Sequence, residues 1–368
     1  MNILLTGNEP RQQRLFLELG KKANVVGVVD FDDIDPITKY CAAALSFAWP
    51  KSEWWGNYQL HGLVSKRRQR VLRRQALLVQ RPIDCIVMWG SWFSPRVVVG
   101  SKSVPYVTYI DQSRSLARLP GEEPATLVRR RRSHRNQAET YENAAVVLCM
   151  SEWARRQTLD AHDIPEEKVI TVGWGPCGID LEGSTLDDSR REHLVLHVSN
   201  DFHRKGVDFL IETAAEVRKK LPGTRFVVIG RDGKSASVPQ SADVEFLGPI
   251  YDKDKLEDYF RRASVFFLPH RFDRSPHVLV EALSAGLPIV SSRQGGAIEL
   301  VEGTGVGFLH EIGDTKGYAE SICNLLSDNP LWTECSKRAV DLQRSYYNWS
   351  SIADRILKQV AKHTTTSV

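Results

Sequence analysis

Two acidic residues and a lysine have the types and spacing to handle a charged ligand. Asp273 and Glu281 stand eight positions apart, on either side of a polar loop that runs into an apolar, helix-forming stretch. Lys205 lies in Asn200-Asp201-Phe202-His203-Arg204-Lys205-Gly206, a polar segment between an apolar run and a second helix-forming stretch. A lysine in a strand-to-helix loop places a point cation beside the positive end of a helix, which suits a diphosphate. Arg204, next to it, either adds a second cation or faces solvent. His277, at the start of the apolar stretch, either donates to a phosphate or caps the helix.

These side chains need elements to hold them. Val265 to Leu268 reads as a buried parallel strand ended by Pro269. Arg271–Pro276 reads as a loop, His277–Leu283 as a helix closed by Gly286, and Leu287–Ser291 as a second strand before Gly295, Gly296 and Glu299. Strand, loop, helix, strand is a βαβ unit. In open α/β sheets ligands sit at the carboxyl ends of strands, against helix N-termini, so the Arg271–His277 loop is expected to face an anionic ligand. The same alternation runs through the chain. Further strands are predicted over 2–6, 24–30, 83–89, 104–110, 144–150, 168–172, 193–199, 224–230 and 244–248. Helices are predicted over 10–21, 58–80, 122–143, 207–220, 252–262, 316–326, 331–347 and 351–362, and Ser151 is the expected N-cap of another. A segment rich in glycine and polar residues, 173–189, reads as a linker. A chain of 368 residues suggests two domains.

Leu268-Pro269, Asp273 with Glu281-Ala282-Leu283, Ala285-Gly286-Leu287-Pro288 and Gly295-Gly296 with Glu299 stand in the order of a known donor-site block. With Lys205-Gly206, they make the chain resemble the retaining GT-B glycosyltransferases of family 4, strongly over about 145–310. Where that family has Glu-x7-Glu, Asp273 is the first acid here, one methylene shorter. The resemblance implies an α/β fold of GT-B architecture, two Rossmann-like domains facing each other across a cleft. The acceptor-side domain would be 1–175, with a last helix, 350–363, packing back on it; the nucleotide-sugar domain would be 190–345. It assigns Glu281 to the ribose hydroxyls, Asp273, Arg274, Ser275, Pro276, His277 and Val278 to the sugar and diphosphate, Lys205 to the diphosphate, and the turn at Gly248 to the base. Asn200 occupies the place of an expected Arg, and Asp111 that of an expected His. Asp111 either orders or deprotonates an acceptor hydroxyl or caps a turn.

Lys205, Asp273 and Asp111 are thus the expected catalytic set, with Gly7, Trp92 and Asp111 on the acceptor side. The implied reaction is retaining transfer of a sugar from a UDP- or GDP-sugar to a glycan, lipid-linked or small-molecule acceptor, with no metal and no cofactor. A nucleotide-sugar-binding protein with little turnover is the alternative, since Asp273, Asn200 and Asp111 all depart from the family's set.

The net charge of +4 is modest, but cations gather in the first half, as Lys66, Arg67, Arg68, Arg70, Arg73 and Arg74, and as Arg129 to Arg132 with Arg135. These are either solvated helix faces or surfaces for an anionic membrane or polyanionic acceptor. No recognised nucleic-acid motif accompanies them. Trp49, Trp54, Trp55, Trp89 and Trp92 read as core packing or as a sugar-stacking or membrane-interface surface. No apolar run reaches the ~20 residues that span a bilayer, and Met1–Gly7 reads as a strand rather than a leader, so a cytoplasmic protein, peripheral on a membrane at most, is expected. The six cysteines include no Cys-x-x-Cys, and Cys85 and Cys149 lie in apolar runs, which points to inert core thiols and no zinc site. Thr6-Gly7-Asn8-Glu9 has a single glycine and is no dinucleotide fingerprint. Asp30-Phe31-Asp32-Asp33 has the spacing of a divalent-metal site, a weaker reading because the later block already claims the nucleotide sugar.

Overall fold

The structure is a computed structural model that describes residues 1–7, 10–30, 37, 62–91, 93–113, 127–179, 181, 191–231 and 241–364. Two compact units divide the chain: Met1–Gly173 with Trp349–Val368, and Trp174–Asn348.

The first unit runs β1 (Asn2–Thr6), α1 (Pro10–Lys22), β2 (Asn24–Val29), α2 (Gly62–Leu78), β3 (Cys85–Trp89), β4 (Val97–Val99), β5 (Lys102–Val104), β6 (Tyr106–Ile110), α3 (Leu127–Asn143), β7 (Val146–Cys149), α4 (Glu152–Ala161) and β8 (Val169–Thr171). Its main sheet is parallel, in the order β2-β1-β3-β6-β7-β8. The strands are short apolar runs, and Leu4, Ile86, Met88, Val147 and Cys149 share one core with Leu72 and Ala76 of α2. The strand predicted over 104–110 is divided at Pro105, which lacks the N–H a ladder needs. Upstream of it, β5 pairs antiparallel with β4 as a hairpin; downstream, β6 joins the main sheet. Ser151 caps α4 by accepting from Ala154 N–H at 3.0 Å.

The second unit runs β9 (Leu194–Ser199), α5 (Val207–Lys220), β10 (Arg225–Gly230), β11 (Glu245–Gly248), α6 (Lys253–Arg262), β12 (Val265–Leu268), α7 (His277–Ser284), β13 (Ile289–Ser292), α8 (Ala297–Val301), β14 (Gly307–His310), α9 (Thr315–Ser327) and α10 (Asn329–Ser345). Its sheet is also parallel, ordered β11-β10-β9-β12-β13-β14. Three- and four-residue spacing turns Val207, Leu210, Ala214 and Val217 of α5 inward. They meet Phe226, Val228, Phe267 and Val290 of the strands in one core.

A last helix, α11 (Trp349–Thr364), belongs to the first unit. It packs on α1, and Arg355 Nε donates to Val172 O at 2.7 Å. Trp89 packs edge-on against Tyr109 and tilted against Trp349, with ring centroids 5.0 and 6.3 Å away. Trp49, Trp54, Trp55, Asp32 and Asp33 lie outside the described residues. Cys85 and Cys149 are buried, and burial pushes the Cys85 thiol up to about 12. The basic run on α2 is not one solvated face: Arg68 is buried, while Lys66, Arg70, Arg73 and Arg74 are exposed. Among the described residues, no helix is long and apolar enough to cross a membrane.

In each main sheet the chain builds outward in one direction and then returns to the other side. The reversal falls between β1 and β3 in the first unit and between β9 and β12 in the second. At such a point the loops leaving the two strands diverge and leave a crevice at their carboxyl ends.

Candidate functional site

The loops after β9 and β12, 200–206 and 269–276, leave the second sheet at its reversal point, and they touch. Gly206 has φ +73°, and a Cβ there would stand 1.8 Å from Pro269 O, so only glycine permits the approach. Arg271 N–H donates to Arg204 O at 2.8 Å. The Arg271 guanidinium donates to Asp208 Oδ1 at 2.7 Å and His203 O at 2.8 Å, lying 4.0 Å over the Phe209 ring. Asp208 is therefore a clamp between the two loops.

Within that clamp the Lys205 ammonium donates to the Asp273 carboxylate, with side chains 9% and 16% exposed. Arg204 reaches the same place. Its Nη1 donates to Phe272 O at 3.0 Å and lies 3.9 Å from Asp273 Oδ2, while its Nε donates to Asp201 Oδ2 at 3.2 Å. Burial opposes ionisation of Asp273, but Lys205, His270 and Arg204 outweigh it and hold the carboxyl well below the usual carboxylate range. The Asp273 backbone is seized from the other side by the loop after β13. Gly296 N–H donates to Asp273 O at 3.3 Å, and Gly295, at φ +59°, packs so close that a Cβ would stand 1.7 Å from that oxygen. Ser275 and Pro276 are buried, Val278 is half-buried, and the Arg274 guanidinium lies 5.0 Å from the Phe272 ring. Pro276 is the N-cap of α7, whose positive end thus follows directly on this loop.

The structure gives Glu281 and His277 partners that sequence did not indicate. Glu281 is buried in α7, and its Oε1 accepts from the backbone N–H groups of Cys177 at 3.1 Å and Gly178 at 2.6 Å. His277 Nδ1 donates to Gly175 O at 2.7 Å. Leu181 N–H donates to Ser284 Oγ at 3.3 Å. The start of the expected linker is therefore a strap held along α7, with Trp174, Gly175 and Pro176 buried. Its glycine-rich composition looked like a linker because its anchors are backbone groups, which leave no side-chain trace.

Asn200 is exposed at the end of β9, beside the Lys205 loop, and Gly248 ends β11 at the sheet's edge, two strands from β9. In the first unit Gly7 ends β1 at that sheet's reversal point, Asp111 is exposed at the end of β6, and Trp92 lies outside the described residues. The structure thus gathers Arg204, Lys205 and Asp273, and sets His277 and Glu281 on the helix that follows. Sequence reasoning passed over Asp201, Arg271 and two fully buried histidines, His197 and His270. A histidine inside the apolar run Leu194-Val195-Leu196-His197-Val198 was the available signal.

Residues 192–328 match the family described as Glycosyl transferases group 1. The "Phosphatidylinositol N-acetylglucosaminyltransferase gpi3 subunit" of Schizosaccharomyces pombe is 26% identical over 223 residues, 58% of this chain and 47% of that protein, so the match spans about half of the relative's length. Among solved structures, Anabaena HepE in complex with UDP superposes with a TM-score of 0.66 at 18% identity, covering 98% of this chain and 99% of that one. A sucrose-phosphate synthase from Thermosynechococcus elongatus gives 0.68 at 16% identity, with both chains fully covered. The chain has the GT-B fold, and its residues 192–328 match the Glycosyl transferases group 1 family.

Proposed function

We propose that this protein is a retaining, metal-independent glycosyltransferase. It takes a sugar from a nucleoside diphosphate sugar, UDP- or GDP-linked, and delivers it to a hydroxyl of a glycan, lipid-linked or small-molecule acceptor. The observation that carries this reading is the meeting of Lys205, Arg204 and Asp273 at the reversal point of the second sheet, next to the N-terminus of α7. Relatives that work in glycan and glycolipid synthesis, and a GT-B neighbour solved with UDP, support it.

The chemical difficulty is the charge that builds on the departing diphosphate. Lys205, Arg204 and the positive end of α7 are the groups to neutralise it, in a setting where preorganised charges act more strongly than in water. The bond between the sugar's anomeric carbon and the phosphate oxygen breaks, and the acceptor oxygen bonds that carbon on the same face. The hydroxyl proton passes to the departing phosphate oxygen. Asp273, held ionised, neutralises Lys205 before the donor arrives and turns toward the sugar when the lysine engages phosphate. Asp111, Gly7 and Trp92 are assigned to the acceptor side, and the exposed cations Lys66, Arg70 and Arg74 to contact with an anionic membrane.

A thermal-shift panel of UDP, GDP and ADP tests the donor half. A bound ligand at a hundredfold its Kd stabilises the folded state by about 2.7 kcal/mol, and a flat response to all three would refute the reading. Nucleotide release with and without chelator, followed by NMR of the product's anomeric configuration, tests the rest.

A further inference from the structure

His270 and His197 are both fully buried, but their partners differ in kind. His197 Nδ1 faces Phe267 O at 2.9 Å and its Nε2 faces Ser199 Oγ at 3.0 Å. A hydroxyl can donate, so a neutral ring meets both partners. His270 Nδ1 faces Leu268 O at 3.1 Å and its Nε2 faces Gln294 O at 3.2 Å. Both are carbonyl oxygens and can only accept. A neutral imidazole has one N–H, so one ring nitrogen is left with its lone pair set against a carbonyl oxygen; only the imidazolium bonds both. Ser291 Oγ, 3.4 Å from Nδ1, donates to the same Leu268 O at 2.7 Å, so its proton serves the carbonyl and not the ring nitrogen.

The ring's position makes this matter. Leu268 ends β12, and Gln294 immediately precedes Gly295 and Gly296, which hold the Asp273 backbone. A doubly bonded His270 ties the loop after β12 to the loop after β13. The groups that act on its charge are Asp273 on its own loop, Lys205 on the loop after β9 and His197 on β9; Arg204, on the same loop as Lys205, stands 3.9 Å from Asp273. Burial opposes protonation most, Asp273 favours it and Lys205 opposes it, which leaves the ring below the ordinary histidine range.

We propose that His270 is a proton-linked positioning residue: binding of a nucleoside diphosphate sugar draws a proton onto its ring, closing the second hydrogen bond and locking the two loops around the donor. The reason is charge balance. A pyrophosphate that engages Lys205 cancels the cation opposing protonation and adds negative charge beside the ring, and Asp273 remains. Donor affinity therefore rises as pH falls through the ring's titration, because the bound form holds the extra proton. The inference rests on the donor-binding reading above.

The test is calorimetry with UDP-glucose, UDP-N-acetylglucosamine, GDP-mannose and ADP-glucose, whose esterified pyrophosphates do not titrate near neutrality. Binding heats measured in two buffers of different ionisation enthalpy report protons taken up. For the wild type, part of a proton per donor and a several-fold fall in Kd from about pH 8 to about pH 6 are expected; His270→Gln, whose amide can donate but takes up no proton, should show neither. Nitrogen-15 spectra of the histidine rings give the same information without a mutation, since both His270 nitrogens should move to imidazolium positions on donor addition. Donor binding with buffer-independent heats, or uptake that survives in His270→Gln, overturns this inference and leaves the function standing. Failure of every nucleotide sugar to bind overturns both.

Discussion

The Lys205 ammonium and the Asp273 carboxylate, 68 residues apart in sequence, form an ion pair at the point where the second sheet reverses direction. Each keeps the other's charge tolerable in a place where neither is well hydrated. The pair is closed from both sides, by Gly206 against Pro269 and by Gly295 against Asp273.

Lys205→Ala leaves a buried carboxylate without its main cation, and breaking such a pair costs about 3–5 kcal/mol. Urea denaturation should show this loss, and Lys205→Ala with Asp273→Asn should regain most of it. Nucleotide release with donor and acceptor should stay abolished in both. Wild-type turnover in the double variant would remove the pair from the site.

Glu281→Ala deprives the Cys177 and Gly178 N–H groups of their acceptor. Each unpaired group is expected to cost about 1–3 kcal/mol, visible as a lower denaturation midpoint without any nucleotide present. Glu281→Gln retains an acceptor oxygen and should cost less. If Glu281→Ala changes only nucleotide affinity and not stability, the strap is not what Glu281 serves.

Gly295→Ala and Gly100→Ala separate crowding from backbone strain. Both glycines have positive φ, +59° and +63°, but a Cβ at Gly100 meets nothing within 4 Å. Gly100→Ala should cost only the strain, about 1–3 kcal/mol. Gly295→Ala must also push Asp273 aside, so it should lose more stability and weaken nucleotide binding as well. Equal effects would show that the Gly295 contact is slack.

Acid should unfold the protein in two stages. Burial holds His197 and His162 down to about 4, from an ordinary value of about 6.5. Between those limits the unfolded chain binds protons that the native state refuses, so stability falls as pH drops from about 6.5 toward 4. Asp273, whose folded value is depressed, contributes stability that is full above about 3.9 and is lost as pH falls below it. Denaturation midpoints across pH check this: His197→Leu should make the first stage shallower by about one proton, and Asp273→Asn should remove the Asp273 share of the second. A profile flat down to about pH 4 would show that the histidines are not held neutral.

Much of the architecture could be read locally. Apolar runs of strand length alternate with stretches of helical spacing, and β12, α7 and α5 begin where turn chemistry and periodicity put them. The exception at 104–110 came from weighing apolar character above Pro105. Residue types were legible too: a lysine before Gly206 and an acid in the loop before α7 are visible without coordinates. Strand order was not, and strand order decides which loops meet.

From the sequence alone came the element types, the two-unit α/β plan and the cationic and acidic candidates, because periodicity and turn chemistry act within a few residues. Only the tertiary structure paired Lys205 with Asp273, set the Glu281 carboxylate against the backbone N–H groups of Cys177 and Gly178, and placed His270 between two carbonyls. The first two contacts join groups 68 and 103 to 104 positions apart, and the third depends on a backbone oxygen 24 positions on. Such contacts follow from how parallel strands are ordered in the sheet, and backbone partners carry no signature in the residues that use them.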